Sequence, residues 1–244
     1  MRCAVYIETQ GTHWMAHILA LPGCFVRGRS RAEVLRSLPQ AVGDYQAWLR
    51  RHGEGSGEED VEVSLDVEEE VLGTGPFNPG DAAALFAAER SPVTLDEIED
   101  YLRLMSYSRS DLLKLVADLS DRVLDWRESQ IEFSLRILIR HIGNAEQFYI
   151  SRLFEPDQLP REWAADRTLP IFEFLELERR GCFDCLRRLD ERQLSDVFRP
   201  IHFTDHPEEE WTASKVLRRF VEHEREHTGQ ARAILAACPD WKLH

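Results

Sequence analysis

Glu222-His223-Glu224-Arg225-Glu226-His227, set inside the longer run Thr212 to Ala237, decides how this chain is read. Two histidines four residues apart lie one turn above each other on a helix. Val216 and Phe220 lead into the pair, and Ala231 and Ile234 follow it. Positions 216, 220, 223, 227, 231 and 234 therefore step by four or three residues along one core-facing stripe. Both imidazoles point where a core side chain points. An inward His pair on a helix is half of a metal site.

A third histidine falls into the same kind of pattern. Ser134, Leu138, His141, Ala145, Phe148 and Arg152 share one helical stripe with His141 at its middle. Three inward histidines have two chemical explanations: a divalent metal site, or a polar core network in which each ring nitrogen finds a hydrogen-bond partner. Three neutral imidazoles leave an ion's charge uncancelled and at least one position open, which is a catalytic arrangement. Nitrogen ligands suit zinc best and are compatible with nickel, iron or manganese. Glu224 lies roughly 50° from the centre of the stripe and is the one candidate base at its edge. Glu226 falls farther round, and a solvated helix face is the plainer reading of both glutamates. His202 and His206, in the polar stretch Ser195 to Glu210, are candidates for the mouth of the site. Trp163 and Trp211 either line a pocket or plug the end of the fold.

Composition bounds the alternatives. A chain of 244 residues is long enough for two modest domains. Its formal net charge of −14 argues against a phosphate-binding nucleic-acid interface and against anionic membranes. No apolar run reaches transmembrane length. The opening Met1-Arg2-Cys3-Ala4-Val5-Tyr6-Ile7-Glu8 meets an acid too soon for a signal peptide, so a cytoplasmic location is expected. Five cysteines do not suggest a disulfide framework, and Cys182-x-x-Cys185, with no second pair, reads as helix packing before metal or redox chemistry.

Residues 2–8 alternate as a strand, His13 to Leu21 reads as a second, and Cys24 to Arg27 as a third after the Pro22-Gly23 break. Ser30, with Glu33 three residues on, predicts a capped helix carrying Val34, Leu35, Leu38, Val42, Tyr45 and Leu49 and ending before Gly53. Pro39 is a candidate kink. Val61, Val63, Leu65 and Val67 alternate as a fourth strand. Within this β-β-β-α-β order, Tyr6-Ile7-Glu8, then Leu21-Pro22-Gly23-Cys24-Phe25-Val26-Arg27-Gly28, then Ala32-Glu33-Val34 and Ala41-Val42, resemble the HicB-like family. The resemblance implies a small partial ribonuclease-H-like fold over residues 1–72. Antitoxin members of that family usually carry a DNA-binding tail, and no basic tail follows here, so an accessory or dimerisation role is expected.

Gly73 to Gly80 is crowded with turn formers, and residues 73–92 read as a linker with a short helix over Asp81 to Glu89. From there on every long segment has helical period. Leu95, Ile98, Leu102, Met105, Leu112, Leu115, Leu119 and Val123 trace one stripe over roughly eight turns. The His141 helix is expected over Ile131 to Phe154, and a third over Leu169 to Glu191. With the His-pair helix these make a four-helix bundle over residues 93–244, and the whole chain an α+β two-domain protein.

Leu138-Ile139-Arg140-His141-Ile142-Gly143-Asn144-Ala145-Glu146, together with His223-x-x-x-His227-x-Gly229-Gln230, resembles the DinB/YfiT-like superfamily. The resemblance implies that His141, His223 and His227 are metal ligands. It also implies the chemistry of that group, which includes a maleylpyruvate isomerase and metal-dependent transferases using mycothiol, bacillithiol or glutathione. A small-molecule substrate, a low-molecular-weight thiol and a homodimer are expected on the same ground. Transfer of a thiol, or hydrolysis of a small electrophile, is the leading function. A non-catalytic binding or sensor module, with the N-terminal domain recognising a partner, is the alternative.

Overall fold

The computed structural model describes residues 1–54, 63–73, 84–129 and 133–243. It divides into two compact units, Met1–Ser91 and Pro92–His244.

The first unit is a four-stranded sheet with one long helix. Strands β1 (Arg2–Thr9), β2 (Trp14–His17) and β3 (Phe25–Gly28) form an antiparallel meander. Helix α1 (Arg31–Arg51) then carries the chain back, so that β4 (Ser64–Leu72) lies parallel to β1 on its other side, in the order β3-β2-β1-β4. Pro22 and Gly23 make the expected break. Cys24 N–H donates to Leu21 O at 2.8 Å, and Gly23 has φ +87°, the value a type II turn demands at its third residue. Ser30 accepts from the Glu33 N–H, and α1 buries Val34, Leu38, Val42, Tyr45 and Trp48. The helix continues through Pro39.

Three expectations shift here, the first being the second strand, which covers only Trp14–His17 of the expected His13 to Leu21. The fourth strand begins at Ser64, later than the expected Val61. In place of a helix over Asp81 to Glu89, a single 3-10 turn covers Ala87–Arg90, while residues 81–83 lie outside the described set. Residues 84–90 are part of the unit: Phe86 is fully buried against Tyr6 and His17, and the Ala84 N–H donates to the Glu8 carboxylate.

The second unit is built on four long helices: α2 (Leu95–Val116), α4 (Leu135–Ile150), α5 (Ile171–Arg187) and α7 (Ala213–Ala237), with short helices α3 (Asp121–Leu124) and α6 (Glu191–Ser195) between them. Three of the four long helices start on a side-chain cap, and α5 follows Pro170 without one. Thr94 and Glu97 form a reciprocal capping box at α2, and Ser134 and Thr212 cap α4 and α7. The His141 helix starts at Leu135, later than the expected Ile131, and several ends come earlier than periodicity implies. The stripe expected to run unbroken to Val123 is interrupted at Val116, where Asp118, Ser120 and Asp121 favour turn over helix. The apolar pattern resumes because α3 turns Val123 and Leu124 back into the same core. Likewise α5 stops at Arg187, and Asp190 caps a separate α6.

In the bundle α2 packs on α7 and α5, and α4 on α5 and α7. Consecutive long helices in two cases, α2 with α4 and α5 with α7, thus lie across the bundle from each other. Gly143 brings α4 and α5 close: a Cβ there would sit 2.4 Å from Phe174 Cε1. No helix among the described residues is long and apolar enough to cross a membrane.

Candidate metal centre

The phase of α7 and the packing of α4 on it bring three histidines together. His223 and His227 lie one turn apart, their rings edge-to-face, with Nε2 atoms 3.1 Å from each other. His141, 82 residues earlier, reaches across from α4 and places its Nε2 3.1 Å from that of His223. The three residues form the one group of possible metal-ligating side chains found among the described residues, each offering an atom within 4.8 Å of the others. Tetrahedral zinc with Zn–N of about 2.0–2.1 Å needs nitrogens roughly 3.3 Å apart, so the spacing fits such an ion. The donor chemistry fits as well. A single proton can join one pair of these nitrogens, whereas a divalent ion satisfies three lone pairs at once.

The surroundings hold the rings in the ligand state. Burial pushes the His227 imidazole down to about 4, and pushes His223 well below its ordinary value, with His227, Arg219 and His141 adding to the effect. His227 Nδ1 lies 2.8 Å from Gln230 Oε1. With the amide oxygen accepting, Nδ1 carries the proton and Nε2 presents its lone pair. The ring of Tyr149 stands edge-on to His223 at 5.8 Å, and its hydroxyl accepts from Arg219 at 3.2 Å.

His141 differs from the sequence reading in one respect. The buried positions of α4 are Leu135, Leu138, Ile139, Ile142, Gly143, Glu146, Tyr149 and Ile150. His141 sits at the edge of that stripe, not at its middle, and is the least buried of the three. The edge position leaves one side of the group open, with Phe133 stacked against the ring at 6.3 Å.

Glu224 is corrected more sharply. It neither borders the histidines as a base nor faces solvent; it is 1% exposed and turned into the bundle. There it accepts from Arg109 Nε at 2.5 Å and Arg179 Nη2 at 2.7 Å. Glu146 joins the same two guanidinium groups. The arginines are also anchored to backbone, Arg109 to Leu175 O and Arg179 to Met105 O. Each long helix thus contributes one charged residue to a buried ring of alternating sign. Burial alone would raise the Glu224 carboxyl, but Arg109 and Arg179 overcome that and hold it below the usual range.

Sequence reading missed this ring, although a signal existed. The α2 stripe jumps from Met105 to Leu112, and Arg109 fills the missing core position. Glu146 follows Ile142 by four residues, and Glu224 follows Phe220 by four. A charge at a gap in an apolar stripe is either an error of phase or a paired buried ion.

The remaining candidates lie elsewhere. His202 and His206 are exposed, beside Glu155 and Glu208 respectively, and do not join the histidine group. Trp211 is buried against Phe148 and Tyr149, and Trp163 is buried over Gly181. Cys182 and Cys185 are buried free thiols on α5, and burial pushes both upward.

Comparison with known proteins places these features in a family. The model of the DinB superfamily matches residues 104–231, a span containing all three histidines and the buried ring. Among solved structures, YfiT from Bacillus subtilis, described as a probable metal-dependent hydrolase with an unusual four-helix bundle topology, aligns with a TM-score of 0.44 at 17% identity, covering 59% of this chain and 89% of that one. No curated protein matches the chain.

Proposed function

The chain belongs to the DinB superfamily, and from that premise we propose that its bundle is a metal-dependent enzyme acting on a small electrophile, by hydrolysis or by transfer of a low-molecular-weight thiol. The observation that carries the reading is the convergence of three Nε2 atoms from two helices, two of the pairs at 3.1 Å.

His141, His223 and His227 would hold the ion. A divalent ion so bound would supply a Lewis acid, bringing the pKa of a bound water to near neutrality and deprotonating a bound thiol outright. The chain's own residues do the rest. Buried His223 and His227 stay neutral, so they compete with protons only in acid. Gln230 fixes the tautomer of His227. Burial of two rings keeps bulk water from one side, while the edge position of His141 admits a ligand from the other. Glu224 is committed to Arg109 and Arg179 and takes no part as a base at this site. The N-terminal unit, outside the matched span, is proposed as a HicB-like accessory domain on its β-β-β-α-β order.

Elemental analysis of protein purified without chelator tests the proposal. About one divalent ion per chain is expected in the wild type and none in His227→Ala or His141→Ala. Metal-loaded protein should then turn over electrophile–thiol pairs or activated esters, and lose that turnover with the ion. A folded wild-type chain that takes up no divalent metal would overturn the reading.

A further inference from the structure

Beside the histidine group lies a groove of about 390 Å³. Two of its lining residues are tied to the site. Gln230, which holds His227, forms part of its wall, and so does Phe133, which stacks on His141. Trp126 and Ile234 line it too, with Ala233 and Ala237, small residues one turn apart on α7. One lining residue is charged, and it is acidic: Glu128.

We propose that this groove is the substrate subsite of the centre, and that it takes a small molecule with a planar apolar group and no negative charge, favoured by a positive one. The inference rests on the metal reading above for the role of the groove, though not for its chemistry. The volume falls in the range of small-ligand pockets and holds a single ring with a short substituent. Two aromatic side chains, Trp126 and Phe133, line it and suit a flat apolar group, and an aromatic ring also attracts a cation. Glu128 adds an attraction for a positive substituent and repels a carboxylate, in a chain whose formal net charge is −14. Gln230 and Phe133 belong to both groove and centre, so a ring seated in the groove lies next to the histidine group.

The test uses the full-length chain, metal-free, so that no probe is captured by an ion. Benzylamine, benzyl alcohol and benzoate are titrated while the Ile234 methyl resonances are followed by NMR. Benzylamine and benzyl alcohol should shift the Ile234 signals, benzylamine roughly threefold tighter, and benzoate should bind roughly tenfold more weakly or not at all. Glu128→Gln should erase the advantage of the amine. Ala233→Phe, at an exposed position, should block the probes while leaving metal uptake intact. Metal uptake with no probe shifting Ile234, or benzoate binding as well as benzylamine, overturns the groove and leaves the metal reading standing. Probe binding at Ile234 in a chain that takes no metal supports the groove as a ligand site and overturns the metal reading alone.

Discussion

Arg179 on α5 and Glu224 on α7 meet across the bundle, Nη2 to Oε2 at 2.7 Å, with side chains 9% and 1% exposed. Their backbones are 45 residues apart in sequence. Glu224 is flanked in the chain by His223, yet the two side chains serve different centres. One helix turn presents a ligand to one face and a counter-ion to another.

The ring that contains this pair is a strong constraint if broken singly. Arg179→Met leaves Glu146 and Glu224 sharing Arg109 in a buried setting, and should cost about 3–5 kcal/mol. Urea unfolding followed by circular dichroism measures it. Replacing all four members by Leu or Met should cost far less than that, because no uncompensated charge remains. Equal losses in the single and fourfold variants would show that the ring is not acting as a charge-balanced unit.

Gln230→Ala should weaken the metal site without abolishing it. The amide fixes the His227 ring at 2.8 Å, and loss of such a partner typically lowers metal affinity about 10–100-fold. Competition against a chromogenic chelator reads the change, with stoichiometry at saturation unaltered. Unchanged affinity would mean that the helix alone orients the ring.

Gly143→Ala should destabilise the bundle by about 1–3 kcal/mol, since the added methyl meets the Phe174 ring and both backbones are helical. Phe174→Leu placed in the same chain should recover part of that loss. A neutral Gly143→Ala would indicate that Phe174 has another rotamer within easy reach. Thermal melts of the three variants decide between these outcomes.

The cysteines should be silent in the native state. Cys3, Cys24, Cys182, Cys185 and Cys238 are all buried and free. Burial drives the Cys182 thiol well above its usual value, so little thiolate exists to react. A thiol reagent should label essentially none at neutral pH, and all five after denaturation. Rapid native labelling of Cys182 or Cys185 would reopen the C-x-x-C for redox chemistry.

Much of the architecture is written locally. Thr94, Ser134 and Thr212 each accept a backbone N–H three residues on, and each opens a long helix where its side chain says it should. Pro22-Gly23 turns because Pro presets the φ of the second position and Gly takes the positive φ of the third without strain. The helix ends were harder to place. Val123 and Leu189 continue an apolar stripe although the backbone has already broken, and periodicity cannot distinguish one bent path from one straight helix.

By itself the chain determined that His223 and His227 share a face of one helix, because a four-residue step on a 3.6-residue period leaves no other choice. It also determined that long amphipathic helices must pack on one another to cover their apolar sides. Only the tertiary structure decided that the His141 ring comes within reach of the other two, that it stands at the rim of its stripe, and that Glu224 turns away to Arg109 and Arg179. Helical phase gives a side chain's direction about its own axis, within tens of degrees. Whether it meets an imidazole, a guanidinium or water depends on the rotation and height of the neighbouring helix, which no local pattern encodes.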